Sequence, residues 1–337
     1  MGTRCGRQTV ALSTKPTIYA FTSIAGKKEG EGPLGNQFDM VFEDAFLGEE
    51  TWEKAEMRLY EKCFSQILQK GSLSPSDIDY IISGDLLNQC TSSAFGMKDS
   101  SIPYLGIYGA CSTMAESISL AAMLSDGGFS AGNILSMAGS HFCSAEKQFR
   151  APLEYGGQRP PSAQWTVTGA GAVCISHGGP IEITHITTGK ITDLGIKDAN
   201  NMGAAMAPAF VSTLTAHLKE TGREPCFYDL IVSGDLGLIG KEIALELTGK
   251  EGFDISSNYN DCGAMIFDPQ KQDTHAGGSG CGCSACVLCG YILPEMIKGT
   301  FKNVLFIATG ALMSPTTTQQ GESIPSIAHA VALSKLQ

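Results

Sequence analysis

The sequence predicts an α/β protein built from two homologous halves and stacked in five layers, helix, sheet, helix, sheet, helix. The first observation behind this is an internal repeat. Ser83-Gly84-Asp85-Leu86 recurs as Ser233-Gly234-Asp235-Leu236, and the match runs back without a gap through Ile81/Ile231, Asp79/Asp229 and Pro75/Pro225, so that seven of twelve positions are identical. The second is that further pairs follow in the same order. Ala110-Cys111-Ser112 answers Gly282-Cys283-Ser284, and Asn133-x-Leu-x-x-Ala138 answers Asn303-x-Leu-x-x-Ala308. The third is that short apolar runs alternate with helical patterns in both halves, the mark of layered α/β folds with buried sheets. A period this long holds several elements and a layer of core, which excludes a solenoid. The halves are placed at 1–180 and 181–337.

Element by element, residues 1 to 50 read as irregular, with a glycine- and charge-rich loop over Gly26 to Gly35. Trp52, Ala55, Leu59, Cys63, Ile67 and Leu68 share one helical face, with Thr51 as N-cap and Gly71 as stop. Ile78 to Ile82 is a buried strand that delivers Asp85 to a loop at its carboxyl end. Ile102 to Ala110 reads as a second strand leading to Cys111. Ser112 to Leu124 is apolar or small nearly all round and stops at Gly127-Gly128, the pattern of a helix buried between layers. Asn133 to Ala138 is a third strand, Gln148 to Gln164 a long polar loop, and Trp165 to Ser176 a returning strand. The second half repeats the order with strands near Ile181 to Thr187, Asp229 to Val232 and Asn303 to Ala308, and helices near Pro208 to Lys219 and Val287 to Met296.

At 337 residues and 43% hydrophobic, the chain can bury a large core. A net charge of -11 gives no basic stripe for phosphates, so a nucleic-acid surface is not expected, and Lys27-Lys28 reads as a solvated loop. No apolar run is read as a membrane span and no signal peptide is recognised, which places the protein in a cytosol-like compartment. The twelve cysteines are accordingly expected as reduced, mostly buried thiols. Cys281-x-Cys283-x-x-Cys286-x-x-Cys289 has spacing that could hold zinc or an iron-sulfur cluster. Its setting among glycine, serine and alanine favours small packing residues, so neither metal nor cofactor is expected.

Cys111 has the strongest case for chemistry. At a helix N-terminus a thiol feels the positive end of the macrodipole, which favours thiolate and offers donors to an anion. His141 follows a strand end in the same half and could face Cys111, or serve only the structure. Asp85 and Asp235 read equally as acid-base groups, calcium ligands or turn caps. Arg150 and Arg159, on the long loop, could grip a carboxylate or merely solvate that loop.

Tyr108-Gly-Ala-Cys111-Ser-Thr, the Gly169-Ala-Gly-Ala turn and the glycine-rich turn of the second half resemble the thiolase and ketoacyl synthase superfamily over nearly the whole chain. The resemblance implies a cysteine that is acylated, assisted by a histidine and by a second histidine or asparagine from the second half. At those two positions this chain carries Ser233 or a neighbour, and Gly282. Within the superfamily, the run from Gln148-Phe-Arg-Ala-Pro-Leu-Glu-Tyr to Gln164-Trp-Thr-Val-Thr-Gly, with Gly280-Cys-Gly-Cys-Ser-Ala, is similar to the stage V sporulation protein AD family of endospore formers.

That likeness implies a non-catalytic protein that binds dipicolinic acid, alone or as its calcium chelate, for transport in spore formation and germination. It implies a peripheral place on the cytoplasmic face of the spore inner membrane, beside other stage V sporulation A proteins, and a homodimer. Asp85, Cys111, His141, Arg150, Arg159, Ser233 and Asp235 are the ligand-binding candidates on this reading. The alternatives are an acyltransferase using Cys111, with His141 as base, and a structural scaffold for a membrane channel.

Overall fold

The computed structural model describes residues 2–148 and 158–336. Ten strands carry the architecture: β1 Thr17–Ala25, β2 Ile78–Gly84, β3 Tyr104–Gly106, β4 Asn133–Ser140, β5 Gly169–Ser176, β6 Ile181–Thr187, β7 Leu230–Ser233, β8 Tyr259–Asp261, β9 Asn303–Ala311 and β10 Ser326–Lys335. Their hydrogen-bonded order is β8-β7-β9-β10-β6-β1-β5-β4-β2-β3. Each first-half strand therefore has a counterpart five numbers on, and the two five-stranded sets meet at their first strands. The junction is short, pairing Ile181 with Ile18 and Glu182 with Thr17.

Six helices follow the same rule three numbers on: α1 Trp52–Gly71, α2 Thr91–Met97, α3 Thr113–Asp126, α4 Met202–Thr221, α5 Gly237–Lys250 and α6 Cys281–Lys298, the last interrupted by a π turn over Leu288–Ile292. Helix α1 covers β1, β5 and β4 from outside, as α4 covers β9 and β10, while α3 touches sheet strands of both halves and, with α6, fills the layer between them. Five layers result. α3 and α6 are apolar or small on nearly every side because each has a sheet or a helix wherever water would be. The window Cys281–Lys298 is, with a mean hydropathy of 1.3, long and apolar enough to cross a membrane by composition, contrary to the reading of the sequence, but most of it is buried in this central layer.

Several boundaries differ from expectation. Residues 1 to 50 are not irregular throughout: β1 is an interior strand, paired antiparallel to β5 and touching β6. Only Tyr104–Gly106 of the expected strand 102–110 pairs with β2, because the chain then turns through Ala110–Ser112 into α3. α4 starts at Met202 under an Asn201 cap, six residues before Pro208. α6 starts at Cys281, so the supposed glycine-rich turn is largely helix. β8, β10, α2 and α5 were not anticipated.

Candidate active site

The Ser-Gly-Asp-Leu repeat places one aspartate at the carboxyl end of β2 and the other at that of β7, where α/β sheets present their loops. Gly84 is required there, since a Cβ on it would meet the Ile107 carbonyl oxygen at 2.0 Å. Asp85 is fully buried and caps its own loop, accepting from Leu87 N (2.8 Å) and Ser93 N (2.7 Å). Burial raises its pKa and these donors oppose the rise.

Asp235 behaves differently. It accepts from Thr309 Oγ1 (2.6 Å), Ser279 Oγ (2.9 Å) and Gly280 N (3.1 Å), and the Ser279 hydroxyl in turn lies 4.0 Å from the Cys111 sulfur of the other half. Burial again raises its pKa and these donors oppose the rise. Cys111 sits on the tight turn before α3, after Ala110 in the left-handed region at φ 49°. Its pKa is pushed well up, first by burial and then by the Asp235 charge. The helix start does not deliver the thiolate expected of it.

Above Cys111 lies a chamber of about 130 Å³ walled by both halves. Tyr108, Glu146, Gln164 and Thr166 from the first half face Asn200 and Ser279 from the second. The Gln164 amide nitrogen donates to Asp235 O (2.6 Å) and Gly278 O (2.8 Å), leaving its buried Oε1 as an acceptor with no partner among the described residues. Thr166 Oγ1 donates to Glu146 (2.9 Å). Burial pushes the Tyr108 phenol up to about 12, so it stays protonated. Among the described residues, no lysine, arginine or histidine lines the chamber.

The other candidates lie elsewhere. His141 does not face Cys111: its Nε2 donates to Ala45 O (2.6 Å), its Nδ1 accepts from Cys143 N (3.2 Å), and it lines a separate cleft with Lys28, Glu29 and Trp165. Burial lowers its pKa, so the ring is a neutral cap on the segment Phe142–Glu146. Arg159 donates to Gln164 O (3.1 Å) and Asp273 O (2.9 Å) and lies over Trp165, which orders the loop end rather than the chamber. Arg150 falls outside the described residues. Ser233 is buried, donating to Asp261 Oδ2 (2.6 Å) beside the Tyr259 hydroxyl. Gly282 has no room for a side chain, since a Cβ would lie 2.5 Å from Gly169 O.

Three of the four clustered cysteines face different strands. The sulfurs of Cys281, Cys286 and Cys289 donate to Gly139 O, Ile24 O and Ala172 O. Among the described residues, no three histidine, cysteine or acidic side chains are grouped to hold a metal ion. Tyr108, Glu146, Gln164, Asn200 and Ser279 escaped the sequence reading. Tyr108 and Gln164 lay inside the motifs that carried the resemblance; nothing local marks the others.

Two five-stranded sets around a central helix pair, with a cysteine on the turn into one of those helices, define a protein of the thiolase fold. Solved structures agree. 3-Oxoacyl-[acyl-carrier-protein] synthase III from Aquifex aeolicus VF5 superposes with a TM-score of 0.58 at 14% identity over 95% of this chain and 99% of its own. Human mitochondrial 3-ketoacyl-CoA thiolase, solved with CoA, gives 0.58 at 14% over 97% and 99%. The chain belongs to the stage V sporulation protein AD family, whose profile matches residues 6–334. Stage V sporulation protein AD of Bacillus subtilis (strain 168) is 43% identical over 331 residues, 98% of this chain and 97% of that one.

Proposed function

We propose that this chain is a non-catalytic thiolase-fold protein that binds dipicolinic acid, free or as its calcium chelate, for movement of the acid in spore formation and germination. The observation that carries the reading is the chamber at Cys111, which offers hydrogen-bonding groups but no imidazole among its described lining residues. Carbon-carbon condensation needs a proton acceptor and a stabilised oxyanion. Ser233 is committed to Asp261 and Gly282 offers no side chain for either task.

Dipicolinate is flat and carries two carboxylates. The Tyr108 hydroxyl and the Asn200 amide are donors for carboxylate oxygens, while Gln164 Oε1 and Glu146 are acceptors suited to calcium carried in with the acid. Membership of the sporulation family supports a peripheral place at the spore inner membrane beside other stage V sporulation A proteins. The outer edge of β3 is unpaired among the described residues and uncharged, with Leu105 nearly half exposed, which supports pairing with a second copy.

Calorimetric titration with dipicolinate, with and without calcium, is expected to show one site per chain in at least one of the two conditions. No binding in either would overturn the proposal. So would turnover of acetyl- or malonyl-thioesters that disappears in Cys111→Ala.

A further inference from the structure

We propose that Asp235 silences Cys111: its carboxylate holds the hydroxyl hydrogen of Ser279, the polar neighbour of the sulfur, and sets a negative charge behind it, so that the chamber meets a neutral, polarizable S–H group instead of a thiolate nucleophile. This rests on the reading of the chamber as a binding site, and it assigns the buried residues beneath that chamber a task.

The hydrogen-bond pattern argues for it. Asp235 takes three donors, Thr309 Oγ1, Ser279 Oγ and Gly280 N, through its two carboxylate oxygens, and no acceptor is among these contacts, which is the pattern of an ionised carboxylate. The single hydroxyl hydrogen of Ser279 is spent on Asp235, so at 4.0 Å from the Cys111 sulfur Ser279 presents only a lone pair. The polar neighbour of the sulfur is thus an acceptor with the carboxylate behind it, which suits S–H and repels S⁻. Against it stands the start of α3, equivalent to roughly half a positive charge spread over several N–H groups. A full negative charge one hydroxyl away opposes it, more so away from water.

The other titratable groups near the sulfur add no positive charge. Cys281 faces it from α6, the Tyr108 phenol from the segment before the turn, and Glu146 from the chamber wall. Burial of Cys111 works in the same direction as Asp235. The duplication explains how the carboxylate came free for this task. In the first half Asp85 is spent on its own loop, whereas in the second Asp261 accepts from Leu236 N and Gly237 N (2.8 Å each) and leaves Asp235 to reach across.

Alkylation by iodoacetamide, followed over pH with peptide mapping to separate Cys111 from the other thiols, tests this. The reaction forms S–C, expels iodide and proceeds through thiolate, so the midpoint of its pH profile reports the charge near the sulfur whatever the access. In the parent, Cys111 is expected to react only above the pH at which the exposed Cys5 and Cys226 react. In Asp235→Asn the midpoint should fall by about one unit or more and the rate at pH 7.5 rise about tenfold.

A parent midpoint at or below that of the exposed thiols overturns the proposal and needs no variant that must fold. An unchanged midpoint in a folded Asp235→Asn overturns it as well. Dipicolinate titration of the same samples reports separately on the binding reading, so a low midpoint with intact binding refutes the silencing alone.

Discussion

The two Ser-Gly-Asp-Leu turns are identical in sequence and opposite in use. Asp85 closes on Leu87 N and Ser93 N of its own loop, so its environment is local and structural. Asp235 makes no such closure. Asp261, at the end of β8, accepts from Ser233 Oγ, Leu236 N, Gly237 N and Ala264 N, and Asp235 turns toward Thr309 and toward Ser279, the neighbour of Cys111. A repeated tetrapeptide conserves a turn; which groups its aspartate meets depends on who else supplies capping oxygens.

The largest expected effect sets the two caps against each other. Asp261→Ala orphans three backbone donors, Leu236 N, Gly237 N and Ala264 N, while Ser233 Oγ keeps the Tyr259 hydroxyl, and Asp85→Ala orphans two, so at roughly 1 kcal/mol per orphaned donor the costs should be about 3 and about 2 kcal/mol. Denaturant unfolding measures both, and equal costs would break the contrast.

Next come the matched positions Ala110 and Gly282. An added side chain at 282 meets Gly169 O at 2.5 Å and Ser140 Oγ at 2.6 Å, so Gly282→Asn should cost about 3 kcal/mol and restore no condensing activity. Ala110 carries its methyl at positive φ, so Ala110→Gly should stabilise by about 1 kcal/mol. Thermal unfolding that moves both variants the same way would remove the asymmetry.

A pH dependence separates the buried acids further. Glu29, 1% exposed and bonded by Thr168 N (2.9 Å), has its pKa raised from 4.5 to about 7, chiefly by burial. Its protonated form is the one that fits the fold. The stability it contributes is therefore complete below pH 4.5 and lost as pH rises through about 7. Glu29→Gln keeps the acceptor for Thr168 N and removes the charge, so it should be more stable than the parent at pH 8, on the order of 2 kcal/mol, and equal to it at pH 4. Denaturant midpoints at the two pH values decide this; a gap independent of pH would contradict it.

The smallest effects are on binding. Asn200→Ala should weaken dipicolinate about tenfold if its amide meets a carboxylate. Cys111→Ala removes only a polarizable contact with the ring and should cost about two- to tenfold. His141→Ala, whose ring belongs to another cleft, should bind like the parent. Calorimetry ranks the three, and a His141 effect exceeding that of Asn200 would place the ligand in the wrong chamber.

The repeat, the buried central helices and the cysteine turn were legible in the sequence because each is written in neighbouring residues. β1 was not: although Pro16 and Gly26 bound it, Thr17 to Ala25 owes its place to partners at 169–176 and 181–182. β10 was missed for a related reason, since besides its sequence neighbour β9 it pairs with β6, far back in the chain. The start of α6 was obscured by glycine and cysteine, poor helix formers; at 282 only glycine fits, because a Cβ there would lie 2.5 Å from the sheet's Gly169 O.

By itself the sequence determined the duplication, the layered α/β class and the turn that holds Cys111, all consequences of local periodicity and of motifs repeated at a fixed offset. Only the tertiary structure decided which candidates meet. It brought Asp235 under Cys111 from 124 residues away, walled the chamber with Tyr108, Gln164 and Asn200, and sent His141 and Arg159 elsewhere. The physical reason is that a buried polar group must find partners, and those partners are chosen by how the halves pack, a geometry no local pattern encodes.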